Sequence, residues 1–270
     1  MIRVLLAVLL SIIVVAAGWL AWGIYSVQIA HWALGSIFIP AQAGPWGDSF
    51  GPFSAFFSAL GFTAVLITLW VQQNQIRETL RAQHRQQFEN TFFQLLTMIR
   101  ENREHVRFRH SVMYTASLYG TNKASQRETF TGHTAFRAAF NEMTFWVKHE
   151  IASKAALGKK DLAKIFADRV HARYESTLGA HHRLVYNTLD RIRIDPYLSD
   201  REKNDFANLV RSQFTSFEAI ILGCNGLNRY AKDFDDIIVR FRLLKYARTG
   251  IIYNELKRHY PESAFRGRTE

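Results

Sequence analysis

Two short clusters combine residue types that could do chemistry. Arg100-Glu-Asn-Arg-Glu-His105 sets an arginine and a histidine a few residues apart on an expected helix. His105 could serve there as acid or base while Arg100 steadied a phosphate. The segment is already rich in arginine, so a solvated helix end is the plainer reading. His181-His182-Arg183 could coordinate metal or act on phosphate. Adjacent histidines do not share a helix face, and no acidic third ligand stands one turn away, which argues against a metal. Arg211, Gln213 and Glu218 lie on a strongly apolar helix, where such groups are costly to bury without partners. They read as network or surface residues. The sequence contains no Walker loop, nucleotide-binding glycine loop, HExxH or nucleophile elbow. These residues therefore nominate no catalytic centre, metal ligand or cofactor. The single cysteine, Cys224, rules out an internal disulfide and a cysteine-rich zinc site.

The elements that must position these residues follow from an uneven composition. Of six Trp residues, five precede Leu80, whereas nine of ten Tyr residues follow it. Between Arg3 and Arg77 the only formal charge is Asp48, so nearly all of the net charge of +11 belongs to the later part. That excess suits a solvated or lipid-facing surface better than a nucleic-acid interface, because it is spread along several segments.

Residues 4–25 are uncharged, with Trp19, Trp22 and Tyr25 at the far end, and predict a first transmembrane helix. A connector with Pro40, Pro45 and Pro52 follows and lacks Lys and Arg. Residues 53–71 predict a second span, opened by Gly51-Pro52. Ser58 and Gly61 offer small residues for helix contact within it. Arg3 before the first span and Arg77, Arg81 and Arg85 after the second place both termini in the cytoplasm and the loop outside. The expected organisation is a membrane anchor over 1–76 and a cytoplasmic domain over 77–270.

After Val71 a helical stripe continues through Ile76, Leu80, Phe88, Phe92, Leu95 and Ile99, thin between Gln83 and Gln87. Beyond it, helices are expected over 133–156, 162–177 continuing to about 193, from Asp200 past Ile221, over 234–247 and over 251–260. Gly223 and Gly226 should mark a bend. No stretch alternates as a substantial sheet would. The predicted fold class is all-α: two N-terminal transmembrane helices followed by a cytoplasmic helical bundle.

The Arg100–His105 spacing resembles that of small helical ribonucleases of the HEPN type. The chain from about Gly51 to Tyr246 resembles the phage abortive infection (AbiC-like) family more broadly. The residues that carry this are Phe88-Glu89-Asn90-Thr91-Phe92-Phe93, Arg183 with Tyr186, and Arg211-Ser212-Gln213 with Glu218 and Asn225. His181 and His182 stand where the family has an aromatic pair, and Gly223-Cys224 also departs from its pattern. The resemblance implies an anti-phage defence protein of the bacterial inner membrane, multi-pass and without a cofactor. Some similar proteins resemble toxic effectors of retron systems, which implies membrane damage on a phage trigger. The implied partners are the lipid bilayer, a second copy of the chain, and an inhibitory reverse transcriptase with its RNA or another defence protein. A membrane-tethered ribonuclease and a non-enzymatic membrane scaffold are the alternatives.

Overall fold

In the computed structural model, described residues are 51–120, 128–154, 157–231 and 233–267, with isolated positions before Gly51. The chain separates into two units, Met1–Thr79 and Leu80–Glu270.

Helix α1 runs unbroken over Gly51–His105, 55 residues. Gln72 to Gln87 is polar but contains no proline or glycine, so nothing stops the helix where its apolar part ends. In the first unit Phe56, Phe57, Leu60, Phe62, Leu66 and Trp70 are each about half exposed or more. Thr63 and Thr68 turn their hydroxyls back onto the carbonyls of Ala59 and Ala64, both at 2.8 Å. A helix in an apolar surrounding satisfies its polar groups this way, within itself.

This corrects the two-span expectation. Among the described residues one helix, Ser54–His105, is long and apolar enough to cross a membrane, and it is not N-terminal. The second expected span is the first part of that helix, which runs on past Val71 as the helical stripe there leads one to expect. Most of the expected first span, 4–25, and of the connector after it lies outside the described residues. A multi-pass placement in the inner membrane accordingly gives way to a single candidate span.

In the second unit α1 is held at the polar stretch that looked thin. His84 meets Asp195 at 3.0 Å and its ring lies 4.4 Å from that of Tyr197. Arg85 pairs with Glu89 at 3.0 Å and with Glu202 at 3.2 Å. The buried stripe then advances through Phe88, Phe92, Leu96 and Ile99, at steps of four, four and three. Leu96, rather than Leu95, sits on the buried line. Phe206 packs against Phe88 and Phe92, with centroids 5.0 and 4.8 Å apart.

The all-α expectation needs a second correction. After His105 the chain forms strand β1, Arg107–Arg109, paired antiparallel with β2, Thr129–Thr131. Phe108 is the buried residue of β1, between exposed arginines. Three residues are too few for alternation to announce a strand. Between the strands lies α2, Val112–Tyr119, capped by the Ser111 hydroxyl. The fold is mostly helical.

Helix α3, Gly132–Ser153, buries Phe136, Met143, Trp146 and Val147, while Phe140, on the same helical spacing, is partly buried. A long helical run follows: α4 (Lys159–Phe166), a π-helical turn over Ala167–His171, α5 (Ala172–Tyr174), a second π turn over Glu175–Gly179, and α6 (Ala180–Ile194). Leu178-Gly179 is thus no break.

Helix α7, Asp200–Ser212, starts at Asp200 as expected and is capped by Ser199. It does not continue past Ile221. Thr215 starts a new helix, α8 (Ser216–Gly226): its hydroxyl accepts from the Glu218 N–H at 3.1 Å, and the Glu218 carboxylate accepts from the Thr215 N–H at 3.4 Å. Gly223 marks a close approach, not a bend. A β-carbon there would lie 2.9 Å from methyls of Leu244 and Leu256. Helix α9 covers only Phe234–Arg240, because Arg242 adopts a left-handed φ of 52°. Helix α10, Ile251–His259, closes the core.

Candidate functional site

The two π turns bring four residues spaced four apart onto one side of the long run: His171, Glu175, Gly179 and Arg183. Each π turn carries one residue more than an α turn would, and such bulges recur at functional sites. Glu175 accepts from Arg183 at 2.7 Å. Gly179 lies beneath that pair, where a β-carbon would sit 3.2 Å from the Glu175 carboxylate and 3.3 Å from the His171 ring. A larger residue would press on both.

A cleft opens beside this column. Its inner part, about 330 Å³, is lined by His171, His182, Arg183, Tyr186, Asn225 and Asn228, with Tyr230 and Phe234. Asn228 and Tyr230 also line an adjoining recess of about 770 Å³, whose rim carries Lys159, Lys160 and Lys164. Three polar residues at the inner wall are almost wholly buried: His182 is 3%, Asn225 8% and Asn228 5% exposed. Neither ring nitrogen of His182 has a partner in hydrogen-bonding geometry, and neither does the Asn228 side-chain amide nitrogen. Asn225 is near enough to favour a charged His182 ring weakly. Burial, reinforced by His181 and His171, outweighs it and holds the His182 pKa well below the usual histidine value. A neutral imidazole presents one donor and one acceptor. Burial also lowers the His171 pKa, with Glu175 opposing and Arg183 adding to the effect.

His181, next in sequence to His182, serves a different site. Its Nε2 lies 2.8 Å from Oε1 of Glu218, and both side chains are fully buried. The other Glu218 oxygen forms an ion pair with Arg103 of α1 at 3.1 Å, without the alignment of a hydrogen bond. Arg103 donates instead to the Gln213 carbonyl at 2.7 Å. Helix α8 therefore carries Asn225 at the cleft and, two turns earlier, the acid that holds α1.

A third polar centre lies around Glu142 of α3. This fully buried carboxylate receives the Ser111 N–H at 2.9 Å, Arg173 at 2.7 Å and His110 at 3.2 Å. Burial would raise its pKa; the hydrogen bonds from His110 and Ser111 and the charge of Arg173 outweigh that and lower it. Arg173 also donates to the Arg109 carbonyl, so the centre ties α5 to β1.

The residues singled out from the sequence divide by this geometry. Arg183, Tyr186 and Asn225 come together at the cleft. Glu218 belongs to the adjoining ion-pair network. Arg211 is buried elsewhere, donating to the Phe241 carbonyl at 3.0 Å. The Gln213 side chain donates only to Leu209 and Ser212 nearby. Phe88 and Phe92 are core, Glu89 pairs with Arg85, and Asn90 and Phe93 face outward. Ser58 and Gly61 are exposed, and a β-carbon at Gly61 would meet nothing within 4 Å. Arg100 and His105 are exposed on α1 and do not line the cleft. His171, Asn228 and the lysines of α4 were not foreseen. No local motif marks them; packing sets His171 and Asn228 beside Asn225, and the lysines at the recess that Asn228 and Tyr230 also line. Among the described residues, no group of three His, Cys, Asp or Glu side chains could hold a metal. Cys224 is buried, and burial pushes its thiol up to about 12.

Residues 173–250 match the family described as "Putative phage abortive infection protein". The matched stretch runs from α5 to the residue before α10, and it includes Arg183, Tyr186, Glu218, Asn225 and Asn228. This is a family-level link to phage defence, carried by less than a third of the chain. Neither the curated proteins nor the solved structures gave a match.

Proposed function

We propose that the protein is a phage-defence effector, anchored in a membrane by α1, whose helical domain receives a signal at the cleft and passes it to α1. The observation that carries this is the placement of Asn225 and Glu218 on one short helix, α8. The first lines the cleft, and the second is held by Arg103 of α1. An occupant that shifts Asn225 shifts the Glu218–Arg103 pair, giving a charged switch the means to bias a helix between two states. The exposed apolar part of α1 supplies the membrane end, and the family match supplies the defence context. Under this reading the triggered helix perturbs the bilayer and the infected cell stops supporting phage. A reverse transcriptase with its RNA, or another defence protein, would hold the domain quiet before infection.

The reading is tested with a potential-sensitive dye in bacteria making the full chain at low level. Infection should collapse membrane potential before phage release, and plaque numbers should fall. Leu66→Asp, which places a charge amid the apolar part of α1, should abolish both effects; a charge at a helix centre opposes insertion by about 3 kcal/mol. Potential that stays intact up to lysis in cells with the unaltered protein would remove the proposal.

A further inference from the structure

We infer that the cleft between the π-turn column and α8 binds a nucleotide, with the base in the inner part and the phosphate at the lysine-bearing recess. The inference rests on the cleft being the receiving site. Its two parts, about 330 and 770 Å³, lie on either side of Asn228 and Tyr230, which line both. That size suits a small molecule of nucleotide class.

The chemistry of the two parts differs. The inner wall offers neutral polar groups: the unpartnered nitrogens of His182, the unpartnered side-chain nitrogen of Asn228, whose oxygen accepts from the Tyr230 N–H, and the Asn225 side chain. Buried donors and acceptors without partners are costly, so the arrangement favours a ligand edge that supplies both. A nucleobase edge does so. Phe234 and Tyr186 add aromatic faces there, set edge to face with centroids 5.8 Å apart. Tyr230, 69% exposed, stands where the two parts meet and can cover a planar ring.

The outer recess is cationic. Lys160 and Lys164 stand one turn apart on α4, with Lys159 beside them. Lys159 is engaged by Asp235 at 3.2 Å, which leaves Lys160 and Lys164 to meet a phosphate; Asp168 is the other acid at this recess. A simple anion would leave the inner amides and His182 unpaired. An uncharged ring would leave the lysines without purpose. A nucleotide uses both.

The test is calorimetric titration of the detergent-solubilised full chain. The probes are nucleosides and their mono- and triphosphates for each base, cyclic dinucleotides, and inorganic phosphate. A nucleotide should bind more tightly than its nucleoside and than phosphate alone. Lys160→Glu with Lys164→Glu should weaken nucleotide binding roughly tenfold or more while leaving the nucleoside unchanged. Asn228→Leu should weaken both. The lysines are exposed, so their variant keeps the test valid if Asn228→Leu fails to fold. Binding by none of the probes would overturn the inference, as would equal binding of phosphate alone or nucleotide binding that survives the lysine variant. Because potential collapse in infected cells is read without any added ligand, an intact collapse with no nucleotide binding would remove the ligand class and leave the effector reading standing.

Discussion

Replacing Arg103 with alanine should lower the stability of the protein by about 3–5 kcal/mol, the usual cost of leaving one member of a buried ion pair alone. Glu218 has no exposed surface, and after the substitution only His181 and the Thr215 cap remain to it. The Gln213 carbonyl, at the break between α7 and α8, also loses its donor. The check is thermal unfolding of the detergent-solubilised chain, followed by circular dichroism. A second substitution separates charge from packing. Arg103→Ala combined with Glu218→Gln removes both charges, keeps an amide for His181 and restores no bulk. That double variant should recover most of the loss. If the single and double variants fall equally, the contribution of Arg103 is its bulk and not its charge.

Glu142→Ala should cost about 3 kcal/mol at neutral pH. The substitution strands the Ser111 N–H and takes the carboxylate acceptor from the Trp146 indole N–H, whereas Arg173, partly exposed, can turn to water. The pH dependence has a fixed sign. The folded carboxyl is held below its ordinary value of 4.5, so its contribution is full above that value and is lost as pH falls through the folded pKa. The difference between the parent protein and Glu142→Gln, measured by unfolding midpoints, should therefore be largest near neutrality and shrink below about pH 4.5. A gap that widened in acid would mean that the carboxylate is not the stabilising form.

Particular residues show how far the sequence could be read. Phe88, Phe92 and Ile99 announced a buried stripe because helical spacing is local and the stripe is apolar. The π turns left no such mark: the insertions are set by how the run packs, and the residues in them have ordinary helical preferences. The break before α8 was legible but missed. Thr215-Ser-Phe-Glu218 is a capping box, yet it lies inside an apolar run that reads as one continuous helix. Glu218 then looked like a misplaced charge, when it is both a cap and the partner of Arg103. The same holds at the cleft. Arg183, Tyr186 and Asn225 could be singled out, but their meeting with His171 and Asn228 depends on tertiary packing. Glu142 gave no signal at all, since a lone glutamate on an amphipathic helix is ordinarily solvated.

The π turn over Glu175–Gly179 gives the neighbouring histidines a further consequence. Successive helical residues are rotated by about 100°, and the turn holds one residue more than an α turn. If the turn relaxed to α geometry with every residue kept, α6 would rotate by that angle. His181 would then take the place of His182 at the cleft, and Ala180 would face Glu218. The doubled histidine thus makes the frame of this helix degenerate at the cleft and distinct at the buried acid: a slip of one residue keeps a ring at the cleft while taking from Glu218 its partner.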